Sequence, residues 1–131
     1  MSDFLASSNA ASPDVYTPTQ LLAGEAEVTT DIGKLVTGQN LAKYAVVGRI
    51  TASGKLMQWV PGAVDGSQQA IGILIHAVDA TSADKDAQFY RSGVFNIDAL
   101  GWASATTVQK YAAFNGTAIA VRALPGSTTV I

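Results

Sequence analysis

The sequence predicts a mainly β domain with one short helix and a flexible N-terminal arm. Three observations carry that expectation. The chain has 131 residues with 48% apolar content, enough for one buried core. Its apolar residues fall in many short, β-branched runs bounded by Gly, Pro, Asn and Asp. Only one stretch holds a helical period, and only for about two turns; residues 1–22 hold no period at all.

Residues 1–22, MSDFLASSNAASPDVYTPTQLL, are read as the arm, and residues 23–131 as the β-rich domain. Pro13 and Pro18 lack an N–H and bias the residues before them toward extended geometry. Val15, Tyr16, Leu21 and Leu22 are apolar anchors on that chain. This is the composition of a segment that orders on a partner, for instance by adding a strand. From Glu27, EVTTDI reads as a short strand, Gly33-Lys34 as a turn, and KLVTG as a possible continuation. Tyr44, Val46, Ile50 and Ala52 alternate irregularly, which places a bulge at Gly48. Thr51–Gly54 reads as a hairpin loop, and Leu56 to Val60 as the returning strand, closed by Pro61-Gly62.

GAVDGSQQ is a polar loop. AIGILIHAV is a continuous apolar run of strand length, expected to be buried on both faces, with Gly72 where another backbone comes close. DATSADKD is a second loop. AQFYRSGVFNI then reads as one bent strand, Gln88 to Ile97, with Gly93 permitting the bend and Phe89, Phe95 and Ile97 on one face. The competing geometry is a hairpin turning at Ser92-Gly93, which pairs Tyr90 with Phe95. TTVQKYAAF is the helix, capped by Thr106 or Thr107, with Val108, Tyr111 and Ala112 on one face and Asn115-Gly116 at its end. TAIAVRAL is a last alternating strand, and PGSTTVI a tail.

Charge excludes several function classes. Charged residues are 14% of the chain, against about 25% in ordinary soluble domains. A surface with so few charges is poorly protected against association, which points to coverage by partners. Net charge is −2, and the eight Lys and Arg are scattered singly. Phosphate-backbone binding needs a basic patch, so nucleic acid is not expected as a direct ligand. Cysteine is absent, so there is no disulfide framework and no thiolate chemistry. The first residues lack the basic and apolar regions of a signal peptide. No apolar run approaches the ~18 residues of a membrane span.

Candidate chemistry is sparse, and no cofactor is expected. His76 is the only histidine and sits inside an apolar run, which favours a core or edge position over catalysis. Asp79, Asp84 and Asp86 lack the spacing and terminal Glu of a calcium loop, and no His/Cys cluster suggests zinc. Ser92-Gly93 lacks the G-x-S-x-G frame of a nucleophile elbow. Trp59 and Trp102 could form a sugar platform on a displayed adhesion module. Single tryptophans beside apolar strands are more often core or interface. These residues favour a structural or interaction role over catalysis.

One long segment carries a family resemblance. AIGILIHAVDATSADKDAQFYRSGVFNIDALGW, followed by AAFNGTAIAV, resembles the head decoration protein of lambda-like tailed bacteriophages. That family carries a VGIL run with A.D.T, then FYKSGTF, a Trp near a short helix, and AFxGTAI. The matching residues here are Ile71-Gly72-Ile73-Leu74, Ala77, Asp79, Thr81, Phe89-Tyr90-Arg91-Ser92-Gly93-Val94-Phe95, Trp102, and Ala113-Phe114-Asn115-Gly116-Thr117-Ala118-Ile119. A weaker match runs back through Trp59 and Lys55-Leu56 to Leu41. Gly24 to Asn40 looks like an insertion or a longer first hairpin, and the tail after Val121 passes the family's usual end.

The resemblance implies a β-clip domain assembling as a homotrimer. It implies trimers on the outside of the phage head that bind the major capsid protein at three-fold and quasi-three-fold positions after expansion and hold the shell against packaged DNA. It implies a structural protein made in the bacterial cytoplasm and carried on the virion, with no enzyme activity, metal or membrane. Gly72, Phe89, Tyr90, Gly93, Phe95, Trp102, Phe114 and Gly116 are then family-motif residues of the fold. Val15, Tyr16, Leu21 and Leu22 are the capsid-binding anchors of the arm.

Overall fold

The computed structural model describes residues 21–24 and 26–123. Eight strands form in them: β1 (Thr29–Leu35), β2 (Asn40–Leu41), β3 (Val46–Arg49), β4 (Leu56–Gln58), β5 (Ala70–Leu74), β6 (Val78–Asp79), β7 (Lys85–Asn96) and β8 (Ala118–Arg122). A 3-10 turn (Ile97–Ala99) and the single helix α1 (Thr107–Ala112) lie between β7 and β8. The fold is mainly β with one short helix, as predicted. Val15 and Tyr16 lie outside the described residues.

The main sheet has the order β1-β4-β3-β5-β7-β8, and β1 also pairs with β7. That extra pairing joins the two ends of the first five strands into a small barrel. β1 runs antiparallel to β7 from Thr29↔Ser92 to Leu35↔Lys85. It also touches β4 in parallel at Leu35↔Leu56. β8 is parallel to the second half of β7, from Ser92↔Ala118 to Asn96↔Arg122. β2 and β6 form a separate antiparallel pair.

Two cores result, one on each side of the barrel wall. Leu35, Val47, Leu56, Leu74, Ala87 and Phe89 fill the barrel, and Leu41 of β2 and Ala80, just after β6, join them. Val46, Ile73, Trp59, Phe95, Phe114 and Ile119 form the second core, packed under α1, the 3-10 turn and β8. Neighbouring residues of one strand serve opposite cores: Val46 against Val47, and Ile73 against Leu74. β5 is thus buried on both faces, which is why its sequence runs apolar without alternation.

Gly72 packs where the sequence predicts a close approach. A Cβ there would stand 2.4 Å from the Phe89 ring, so only glycine lets β5 lie against β7. The bulge expected at Gly48 is present as a register shift between Val47 and Gly48 against β5. The β3–β4 hairpin closes with Ile50 N–H donating to the Lys55 carbonyl at 2.8 Å, and Gly54 takes φ +75.

β7 is one strand and not a hairpin. It bends at Gly93, whose φ of +136 lies outside the range of ordinary L residues. Because of the bend, the rings of Tyr90 and Phe95 still meet, with centroids 5.3 Å apart. Phe89, Phe95 and Ile97 are all buried, Phe89 in the first core and Phe95 in the second. Among the described residues, Tyr44 is the non-glycine residue with positive φ, at +69. That conformation costs roughly 1–2 kcal/mol. Two hydrogen bonds hold it: its N–H to the Leu74 carbonyl, and its carbonyl from the Gly101 N–H, both at 2.9 Å.

Several expectations need correction. Gly33-Lys34 is not a turn. β1 passes straight through it, and Gly33 is small because Leu56 Cδ1 lies 3.0 Å from where its Cβ would be. Gly24 to Asn40 does not form a first hairpin. It holds β1, a barrel strand paired with β7 far along the chain. The strand after Gly54 stops at Gln58, and Trp59 N–H bonds the Val46 carbonyl instead. β5 stops at Leu74, so His76 stands exposed in a bend and not in a core or edge strand. DATSADKD is shorter as a loop, because β7 already begins at Lys85. The helix is capped by Thr106 in a capping box with Gln109, but its Val108/Tyr111/Ala112 face is not its core face. Val108 is 76% exposed, and Ala113 and Phe114, just past the helix, enter the core.

Replacing Gly93 with Ala forces a Cβ within 3.0 Å of Phe95 Cε2, at a φ suited to glycine. The variant is expected to lose about 1–3 kcal/mol of stability. Urea unfolding followed by tryptophan fluorescence measures this; an unchanged midpoint contradicts the bend's role.

Candidate functional site

The tryptophans are structural in this fold. Trp59 is 3% exposed, and its indole N–H donates to the Gln68 carbonyl at 2.8 Å. Trp102 is half-buried and donates to the Ile97 carbonyl at 2.8 Å. Their rings meet edge to face at 5.5 Å, and Trp102 meets Phe114 at 6.1 Å. Trp59 therefore offers no open ring face on which a sugar could stack.

The other motif residues also sit in the packing. Gly72, Phe89, Gly93, Phe95 and Phe114 are buried, and Tyr90 is half-buried. Burial, with Tyr44 nearby, pushes the Tyr90 hydroxyl up from its ordinary range. Gly116 stands at an exposed turn with φ +83. Ser92 has its hydroxyl within 2.6 Å of Thr29 Oγ1 and donates to the Glu27 carbonyl at 3.0 Å. It ties the entry of β1 to the middle of β7. Among the described residues, no three His, Cys, Asp or Glu side chains lie close enough together to hold a metal ion. No helix among them is long and apolar enough to cross a membrane.

The arm residues within the described range rest on the domain. Ala23 N–H donates to the Val94 carbonyl at 3.0 Å, and Asn96 N–H donates to the Leu21 carbonyl at 2.6 Å. Leu22 forms an antiparallel bridge with Phe95 and stays 40% exposed. Leu21 packs partly against the second core. On β7's other partner, β8, Arg122 also stands beside Asn96. Both ends of the described chain therefore flank the same end of β7. Sequence pattern missed this anchoring, because Leu21-Leu22 follow a proline-rich segment and their partner is more than 70 residues away.

Two surface features were not foreseen. A cleft of about 590 Å3 opens at the barrel mouth, with Asp31, Arg49 and Arg91 above a floor of Ile71 and Phe89. Elsewhere, Asp84 accepts from Thr37 N–H at 2.8 Å and pairs with Lys55 at 2.7 Å. It thereby ties the β3–β4 hairpin to the start of β7.

A small closed β unit whose distinctive residues serve packing defines a module that presents surfaces to partners. The chain belongs to the family of Bacteriophage lambda head decoration protein D, whose family profile matches residues 14–121. No curated protein matches it. The match reaches well before Leu41 and so takes in β1. Membership makes this a structural protein of the phage head, of a class that is not enzymatic. A head decoration protein binds the capsid and is carried on the virion.

The bond from Lys55 and those from Thr37 hold the Asp84 carboxyl down to about 2 from its ordinary 3.8. A depressed carboxyl stabilises the fold above its ordinary value and loses that contribution as pH falls. Thermal stability is therefore expected to drop between about pH 4 and pH 2, and Asp84→Asn to flatten that drop. Melting temperatures across this range check it; identical pH profiles contradict it.

Proposed function

We propose that this protein cements the outer surface of an expanded phage head as a homotrimer. Trimers stand at three-fold and quasi-three-fold positions and hold neighbouring subunits of the major capsid protein against the pressure of packaged DNA. The observation that carries this reading is the family match over residues 14–121.

The mechanism is binding without catalysis. Residues 1–22 form the capsid-binding arm, with Val15, Tyr16, Leu21 and Leu22 as its apolar anchors. The arm lends backbone N–H and C=O groups to a strand of the shell, and alternate side chains fill pockets there. One arm binds weakly, because ordering it costs ~1–2 kcal/mol per residue in entropy. Three arms on one trimer act together, and avidity adds about 10²–10⁴ over a single arm. The root of the arm favours this arrangement: Leu21–Ala23 are held on β7, so each arm starts from a fixed point. Binding that prefers the expanded shell stabilises that state by mass action.

Co-sedimentation with expanded, undecorated shells of the parent phage is the direct measurement, with unexpanded shells as control. Saturable binding to expanded shells alone is expected; no binding to either refutes the reading. Deleting residues 1–20, which spares the Leu21–Ala23 pairing, is expected to abolish binding while the domain stays folded by circular dichroism. Full binding by the truncated chain contradicts the role of the arm.

A further inference from the structure

The inward side of the barrel changes from apolar to charged at one end. Side chains alternate along a strand, so Leu35, Gly33 and Asp31 of β1 share the inward face. Leu35 lies in the core and Asp31 at the mouth. On β3, Arg49 follows Val47 on that face and stands opposite Leu56. Two bulges complete the mouth. Arg91 is the extra residue of β7 between Tyr90↔Thr30 and Ser92↔Thr29, and Ile71 is that of β5 between Ala70↔Gly48 and Gly72↔Val47. Bulges re-aim a side chain and are frequent next to active sites. Here both extra residues line one cleft of about 590 Å3, inside the ~300–1,000 Å3 range of small-ligand sites.

The charges in this cleft do not cancel. One Asp31 carboxylate oxygen accepts from the Ile32 N–H at 2.8 Å, and the other meets Arg91 Nη1 at 3.4 Å. The Arg49 guanidinium has no hydrogen-bond or ion-pair partner among the described residues. It lies across β1 where Gly33 has no side chain, with Nη2 3.6 Å from where a Cβ would be. Two guanidiniums thus face one carboxylate. One positive charge is left over, in a chain whose net charge is −2. Ile71 and Phe89 put apolar surface on the same cleft.

The unmatched group selects the ligand. A guanidinium fork holds a carboxylate through two parallel N–H···O bonds, a geometry that an ammonium does not offer. One surplus positive charge matches one carboxylate. A phosphate dianion would leave negative charge unmatched beside Asp31. A bare carboxylate also fills little of the cleft, and its apolar floor is covered only by a ligand with an apolar body.

We propose that the barrel mouth is a binding site for a small carboxylic acid with an apolar body. Arg49 takes the carboxylate, Arg91 flanks it from the side of Asp31, and Ile71 receives the apolar part. The bound acid joins β3 to β7 across β1 and stabilises the closed barrel by mass action. The site lies within one chain. It depends on neither the shell nor the trimer, so its failure and that of the decoration role are read separately.

Nitrogen–proton correlation NMR of the full chain tests this, with benzoate, acetate, inorganic phosphate and benzyl alcohol titrated at constant ionic strength. Benzoate is expected to shift the amides of Asp31, Arg49, Ile71 and Arg91 saturably. It is expected to bind about tenfold or more tightly than acetate, which lacks the apolar body, phosphate, which lacks the carboxylate, or benzyl alcohol, which lacks the charge. Arg49→Gln, shown to be folded by the same spectra, is expected to weaken benzoate binding by about tenfold or more. Asp31→Asn removes the competing carboxylate and frees Arg91, so it is expected to bind benzoate more tightly than the wild type. Absence of saturable shifts at these amides up to millimolar benzoate overturns the proposal. So does binding of phosphate or benzyl alcohol as tight as that of benzoate. Unchanged benzoate binding by Arg49→Gln, or weaker binding by Asp31→Asn, overturns it as well.

Discussion

The bend of β7 at Gly93 is the constraint on which the other contacts depend. Before the bend, β7 closes the barrel against β1 and sends Phe89 and Ala87 inside it. After the bend, the same strand carries β8 on one side and Leu21–Ala23 on the other, and sends Phe95 into the second core. A straight strand of 12 residues would leave one of these two cores without its β7 phenylalanine. Full burial of a phenylalanine is worth roughly 1.5–3 kcal/mol, of the same order as the strain a non-glycine residue would bear at this bend. The family's FYKSGTF run is thus a hinge between two packing units.

Low charge content and a folded, cysteine-free domain fit a protein that works by contact. Most described carboxylates are engaged within the chain: Asp84 and Asp86 by lysines, Asp65 and Asp79 by nearby hydroxyls. Such local pairs hold loops and strand ends in place. They contribute little to global stability where they are exposed. Arg49 lines the cleft at the barrel mouth, and Leu21 is held beside Asn96 at the far end of β8.

Parts of this architecture were legible in the residues because their causes are local. The threonine N-cap of the helix, the Thr51–Gly54 hairpin and the bulge at Gly48 follow from side chains that bond or turn within a few positions. The apolar run at β5 told correctly that both faces are buried, since a half-buried strand alternates. Gly72 was recognised as a place where another backbone comes close, and Gly93 as the residue that permits a bend. The errors share a different origin. Gly33-Lys34 reads as a turn in isolation, but Leu56 and Arg49, more than 15 residues away, need the small residue inside a strand. His76 reads as buried because it stands in the apolar run, yet β5 ends at Leu74 and the chain bends away at Ile75-His76.

The chain by itself determined the class of fold, the glycine hinges and the family, because these reside in short-range pattern and in motif order. Only the tertiary structure decided that β1 closes a barrel with β7, that β8 lies parallel, and that Leu21 and Leu22 dock beside Asn96. It alone brought Asp31, Arg49 and Arg91 to one cleft. These arrangements join residues far apart in sequence, and a strand's preferred neighbour depends on which apolar faces remain to be covered, which is a property of the whole assembly and not of any segment.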